Sequence, residues 1–317
     1  MNPNEPTRLL FPPQASEAAG QVDAIFWGLM IISGAIILLL LVIITNGIFR
    51  RHSDKTGIGG FLVRGRRWIE VTWMAVPFFI FLGLFAVGAW RYLKNQDAPE
   101  GSYTVYVVGR QWWWQSYYPN GYSEHNELHL PAGRPVRLVL SSDDVIHSLY
   151  VPAFRLKQDA VPGKSVQTAL TPTEPGRYRL FCAEYCGTDH AIMAGWVTVL
   201  TPEDFAQWQR THEGQPDLVQ RGAGLFRQHG CSGCHAGSST VVAPRLEGVY
   251  GTRVPLASGG FVKADLAYLR NSILLPSQAI VAGYADEMPS YQGVLDEEDL
   301  AALLAYLQHL GEEVPHG

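Results

Sequence analysis

Cys182-Ala-Glu-Tyr-Cys186-Gly-Thr-Asp-His190-Ala-Ile-Met193 gathers two thiols, an imidazole and a thioether into 12 residues. His147, in Asp143-Asp-Val-Ile-His-Ser, lies 35 residues before Cys182 at the end of an apolar strand. Soft sulfur combined with imidazole selects copper or zinc over magnesium and calcium. A mononuclear type-1 copper needs a single Cys, so the second thiol requires its own account. Two thiolates bridging two copper ions provide one. A Cys182–Cys186 disulfide is a second reading, and zinc is a third, although Met is an unusual zinc ligand.

The surrounding sequence is β-rich. Tyr103–Val108 is apolar and β-branched, and Val136–Leu140 alternates with period two. Val166–Leu170, Gly176–Phe181 and Trp196–Leu200 add three further strands, punctuated by Pro131-Ala-Gly, Val161-Pro-Gly and Glu174-Pro-Gly. Residues 98–200 therefore read as an all-β sandwich or barrel. Thr201-Pro-Glu-Asp then opens a helix, with Thr as N-cap, Pro at the first position and acids in the first turn. The polar stretch His212–Asp217 closes a short helix-and-linker segment, 201–217. Residues 218–317 turn helical, in Leu218–His229 and in the amphipathic Asp296–Leu310.

Working toward the N-terminus, residues 1–97 form a tail and a two-helix hairpin. Ile25–Ile44 and Val71–Trp90 are each 20 residues without a charge. At about 1.5 Å per residue, each crosses a hydrocarbon core of roughly 30 Å. The spans are expected over about 24–46 and 71–92, with Pro77 tolerated inside the second. Between them lie Arg50, Arg51, Lys55, Arg64, Arg66 and Arg67 against Asp54 alone. The positive-inside rule places this loop in the cytoplasm and both termini outside. The first apolar run starts late and lacks a basic stretch just before it, which favours a retained anchor over a cleaved signal. From Asp97 onward, 15 basic side chains face 24 acidic ones. That balance argues against nucleic acid as a partner.

Cys231-Ser-Gly-Cys234-His235 is C-x-x-C-H, the attachment signature of haem c. Two thiols at this spacing each bond one vinyl group, and the adjacent imidazole is directed at the iron. A thioredoxin-like pair does not require the His. A structural zinc site would want further cysteines downstream, and none of the four in the chain lies there. Met288, in Asp286-Glu-Met-Pro, is the sole Met after the motif and the expected sixth ligand. His309, in the last helix, is the competing candidate. A Met opposite His raises the haem potential, which suits electron transfer.

Residues 218–317 resemble class I cytochromes c: Gly222 and Phe226 in the first helix and Tyr306 in the last match the crossing of those helices. Pro244-Arg-Leu246 resembles the family's proline segment, which implies that the Pro244 carbonyl orients His235. The copper motif, C-x-E-x-C-x-x-x-H-x-x-M, resembles the copper-A signature of cytochrome c oxidase subunit II. With the hairpin and the fused cytochrome, the likeness covers essentially the whole chain. It implies a multidomain membrane protein with a transmembrane hairpin, a cupredoxin-like sandwich and an all-α cytochrome c domain. It further implies that Cys182 and Cys186 bridge two coppers and that His147 and His190 cap one each. Met193 and the carbonyl of Glu184 would complete the ligand set, and the Glu184 side chain would help bind magnesium. Gly109-Arg-Gln-Trp112-Trp-Trp-Gln-Ser-Tyr resembles the aromatic segment through which electrons enter, with Arg110 where the family has His and Trp112 at the receiving position. Packing or an aromatic belt at the membrane surface are equal readings for Trp113 and Trp114. Glu70 corresponds to a carboxylate at a proton-pathway entrance, or is a plain interfacial charge. Asp159-Ala-Val-Pro-Gly-Lys also matches a family loop, with no chemistry assigned to it beyond a turn.

By this resemblance the chain is subunit II of a caa-type oxidase in the plasma membrane of a prokaryote. Electrons would pass from soluble cytochrome c or an upstream respiratory complex to the haem, then to copper, then to subunit I; subunit III is a further expected partner. Neither span contains a His, so oxygen chemistry belongs to another subunit. A quinol oxidase subunit lacks the copper ligands, and nitrous oxide reductase would need a propeller domain. The reading from a different class is a membrane-tethered copper-binding or copper-delivery protein.

Overall fold

A computed structural model of the chain describes residues 11–51, 58–96, 98–212, 217–236 and 243–312. Part of the basic inter-span loop (52–57) and part of the linker (213–216) lie outside the described residues. The chain divides into two compact units, Ala19–Asp97 and the remainder.

The first unit is built from α1 (Glu17–Arg51) and α2 (Ile58–Gln96), the latter carrying Pro77. Both helices outrun the apolar stretches that mark them, because the flanking residues are also compatible with helix. The segments Glu17–Phe49 and Glu70–Trp90 are long and apolar enough to cross a membrane. Ile31, Leu38, Phe81 and Phe85 are all more than 60% exposed. Each such side chain left in water forgoes about 1.5–3 kcal/mol, a loss that lipid removes.

In the second unit two five-stranded sheets form the sandwich. One has the order β3 (Ser123–His125), β2 (Trp113–Tyr117), β1 (Tyr103–Arg110), β5 (Val136–Ser142), β8 (Val166–Leu170). The other runs β4 (Glu127–Pro131), β10 (Ala194–Leu200), β9 (Gly176–Cys182), β6 (His147–Val151), β7 (Leu156–Ala160). Neighbours are antiparallel apart from β1–β5 and β4–β10, which are parallel. Val105, Val107, Leu138 and Leu140 meet Leu149, Leu180, Val197 and Val199 in the core. Residues just before α1 also join this unit: Ala15 N–H donates to Ala153 O at 2.9 Å, and the Ser16 hydroxyl to Phe154 O at 2.9 Å.

His147 opens β6; it does not end a strand, as the sequence pattern led us to expect. The Ser142 hydroxyl donates to Val145 O at 2.5 Å, and Asp144 Oδ1 accepts from Val145 N–H at 2.6 Å. Side-chain bonding of this kind stops β5 at Ser142 and turns the chain. The helix α3 (Pro202–Thr211) carries its Thr201 cap, which accepts from Asp204 N–H at 3.2 Å. It packs on the sandwich through Phe205 and Trp208, the latter stacked on His129 at 4.9 Å.

The C-terminal part contains α4 (Leu218–Gln228), α5 (Cys231–His235), a hairpin of β11 (Arg253–Pro255) and β12 (Phe261–Lys263), α6 (Leu266–Leu274) and α7 (Glu297–Glu312). Asp217 caps α4 by accepting from Gln220 N–H at 2.6 Å. α4 crosses α7 at Gly222, where a Cβ would sit 2.1 Å from the Ala302 carbonyl oxygen. Phe226 and Tyr306 flank that crossing, with ring centroids 5.4 Å apart.

Candidate metal centres

β9 ends at Cys182 and β10 begins at Ala194, so residues 183–193 form one loop above the sheet. Cys182 N–H donates to Met193 O at 3.0 Å and closes its base. Across the sheet, Ala183 N–H donates to Ser148 O at 2.9 Å, which brings the start of β6 beside Cys182. The donor atoms then converge. Cys182 Sγ is 3.8 Å from Cys186 Sγ and 3.9 Å from His147 Nδ1. Cys186 Sγ is 3.5 Å from His190 Nδ1 and 3.8 Å from Met193 Sδ. The Cys182 thiol donates to the Glu184 carbonyl at 3.2 Å. His147, Cys182, Cys186 and Met193 are buried, His190 is half-buried, and both cysteines are free thiols.

Burial opposes ionisation of both thiols. At Cys182 it is outweighed by hydrogen bonds from His147 and the backbone near Glu184 and Ser148, which bring the thiol down to about 6. At Cys186 burial and the adjacent Cys182 act together and push the thiol up to about 12. Burial pulls the His147 imidazole down, but Cys182 and Asp144 hold it above its ordinary value. Two neighbouring thiolates are therefore in conflict without a cation, and a soft cation between them removes the conflict. The donor set fits copper.

Second contacts fix these ligands, and sequence reasoning missed them. His147 Nε2 donates to Asp144 Oδ1 at 2.7 Å, so Nδ1 is the nitrogen that faces Cys182 and that loss of its proton would free for a metal. Asp144 also accepts from Gln111 N–H at 2.6 Å, and Gln111 Nε2 donates to Cys186 O at 2.7 Å. A Cβ at Gly109 would sit 2.8 Å from His147 Cδ2, so glycine lets the imidazole lie on β1. The available signal was Asp144's place three residues before His147.

The tryptophans separate in role. Trp114 is fully buried, edge-on to His147 at 5.9 Å between centroids. Trp113 takes the Arg110 guanidinium at 5.2 Å and lies tilted against His125 at 4.5 Å between centroids. Trp112 is half-buried against the ligand loop: a Cβ at Gly187 would lie 3.1 Å from its Nε1. Arg110 pairs with Asp143. Glu184 is exposed beside Tyr185, and Glu70 is exposed at the head of the second span.

In the helical part, α5 carries Cys231, Cys234 and His235 on a single short turn. His235 Nδ1 donates to the Pro244 carbonyl at 2.8 Å, which frees Nε2 to bind a metal. Phe226 lies 6.5 Å from the His235 ring. Cys231 and Met288 are half-buried and pack against the same apolar cluster as Tyr306. His309 is exposed on α7. An oriented imidazole, paired thiols on the same turn and a thioether on the same cluster fit a haem.

Residues 121–199 match the family described as cytochrome C oxidase subunit II, periplasmic domain, and residues 219–311 match cytochrome c. A cytochrome c oxidase subunit 2 from Alkalihalophilus pseudofirmus is 34% identical over 263 residues, covering 78% of this chain and 75% of that one. One from Thermostichus vulcanus is 32% identical over 259 residues, covering 64% and 79%. Among solved structures, the periplasmic domain of subunit II of a cytochrome oxidase from Bradyrhizobium japonicum is 29% identical, covering 37% of this chain and 96% of that chain with a TM-score of 0.35.

Proposed function

The chain belongs to the cytochrome c oxidase subunit II family and serves electron transfer in a terminal oxidase; from that premise we propose the route electrons take through it. The observation that carries the route is the convergence of two free thiols, two imidazoles and a thioether at 3.5–3.9 Å. Bound copper and haem supply one-electron carriers; the residues decide where those carriers sit.

Cys182 and Cys186, with sulfurs 3.8 Å apart, would hold two coppers between them. His147 would serve one ion and His190 the other, with Met193 and the Glu184 carbonyl completing the set. Cys231 and Cys234 would anchor the haem covalently, with His235 and Met288 as the residues that would hold its iron. Met288 is preferred to His309 because it is half-buried against the same apolar cluster as Cys231, whereas His309 is exposed.

Electrons reach the haem from soluble cytochrome c or an upstream complex, pass to copper, and leave for subunit I. Trp112 is the receiving side chain of the copper domain. The Glu184 carboxylate helps hold magnesium against subunit I, Glu70 marks a proton-path entrance, and subunit III completes the neighbourhood. Both termini face outward from a prokaryotic plasma membrane, as the basic inter-span loop requires. A copper-delivery role would want an exchangeable site, and buried bridging thiols beside a covalent haem oppose release.

Rapid reduction of the purified oxidase by a one-electron donor tests the route. Haem c should be reduced first and copper second. In Cys186→Ser the haem should reduce normally while the copper absorption is lost. Copper reduced ahead of haem would overturn the order.

A further inference from the structure

The sheet containing β1 and β5 is apolar on both faces. Val105, Val107, Leu138 and Leu140 point into the sandwich, yet the residues between them are closed off as well. Tyr106, Val108, Tyr117 and Val139 are only 2–4% exposed and belong to the cytochrome's apolar cluster. Strands of a sheet that faces water on one side alternate apolar with polar residues, and these do not. The helix lying on it departs from the usual pattern in the same way. In α7, residues 300–304 are all at most 4% exposed. Five consecutive residues at about 100° each go right round a helix, so α7 is buried on every side along this stretch. α4 covers one side at the Gly222 crossing, and the sheet covers another.

The seam is also satisfied by polar contacts. Leu218 N–H donates to Pro119 O at 3.1 Å, pinning the start of α4 to the sandwich. The Tyr117 hydroxyl reaches Glu298 at 3.5 Å. A small cavity of about 10 Å³ has Val108, Val139 and Ser141 on one wall and Arg270, Glu297 and Leu304 on the other. Arg270 is 2% exposed and paired with Glu297 through both terminal nitrogens. Its Nε and the Ser141 hydroxyl are buried without a protein partner, and both residues line this cavity. A surface visited only transiently would have to expose this apolar face and the Arg270–Glu297 pair to water at every departure.

We propose that the outer face of this sheet is a permanent seat for the fused cytochrome, so that electrons cross from haem to copper in one fixed pose. The proposal rests on the route given above. One electron leaves the haem iron and one enters the copper pair, with no proton or bond change required of the seam. The linker then serves synthesis and assembly, while the interface sets the geometry of transfer.

The test is to place a protease site within residues 213–216 of the intact oxidase and cut it. The haem-bearing fragment should stay with the copper domain at micromolar concentration, and Val139→Asp should release it. Release from the unsubstituted cut protein overturns the proposal. So does retention in Val139→Asp with its copper absorption intact, because another surface then holds the fragment. In uncut protein, adding about 12 Gly/Ser residues to the linker should leave the haem-to-copper rate within twofold of the parent. Tethered excursions instead predict a fall of roughly fivefold, from the −3/2 power dependence on tether length. Absence of haem or copper absorption would count against the route itself, whereas full spectra with a released fragment count against the seat alone.

Discussion

At the scale of single residues, the proposed copper ligands are held by groups outside the proposed ligand set. Asp144 takes the Nε2 proton of His147 and two backbone N–H groups, from Gln111 and Val145. Burial works against its charge, but these contacts keep the carboxyl below its ordinary value. Asp144→Asn retains the shape and removes the charge that fixes the imidazole, so copper affinity should fall about 10–100-fold in a competitive titration. Unchanged affinity would mean that packing by Gly109 and Trp114 alone orients His147. The thiols give a pH prediction. Cys182, lowered to about 6, is largely ionised at pH 8, whereas Cys186, raised to about 12, still holds its proton. Copper uptake at pH 8 should therefore displace about one thiol proton, and about two at pH 5, with affinity falling as pH falls. Calorimetry in buffers of different ionisation enthalpy reads this directly; proton release that does not depend on pH would contradict it.

At the scale of elements, local chemistry made some pieces legible and left others hidden. α3 followed from its Thr-Pro-acid start and α7 from its apolar period, because capping and amphipathicity are written in neighbouring residues. β2, β6 and β7 did not show, since Trp, Gln, His and Lys at their positions break the alternation that marks a strand, whereas β4 alternates but over only Glu127–Leu130. Their pairing is decided by partners far away in sequence, such as β4 beside β10. The motifs proposed to hold haem and copper were legible because their spacing is itself the chemistry. Asp144 and Gln111 were not, because the contacts that give them a role exist only after β1, β5 and β6 assemble. The α4–α7 crossing lies between these cases: Gly222 was recognised by resemblance, and the structure supplies the reason. Gly222→Ala places a methyl 2.1 Å from a backbone oxygen, which must force the helices apart. It should cost about 1–3 kcal/mol or more, read as a lower thermal midpoint of the haem-bearing part. A midpoint equal to the parent would show that the helices can separate freely.

At the scale of the whole molecule, the chain joins a lipid anchor to an electron relay whose two domains share an apolar seam. The doubly apolar sheet was visible in sequence as the continuous run Tyr103–Val108, but that run reads equally well as one buried strand; its covering helix lies some 200 residues away. Ending the chain at His212 removes that cover and exposes Tyr106, Val108, Tyr117 and Val139. Such a truncated protein should keep its copper absorption but self-associate, visible by light scattering. A monodisperse monomer would show that the sheet tolerates water. Underlying all of this is the claim that one chain carries both carriers, a copper pair and a covalent haem. Metal analysis of the purified chain, with its visible and near-infrared spectrum, tests that claim most directly. The account predicts two coppers and one haem c per chain, both reducible; zinc, or a single exchangeable copper, would contradict it.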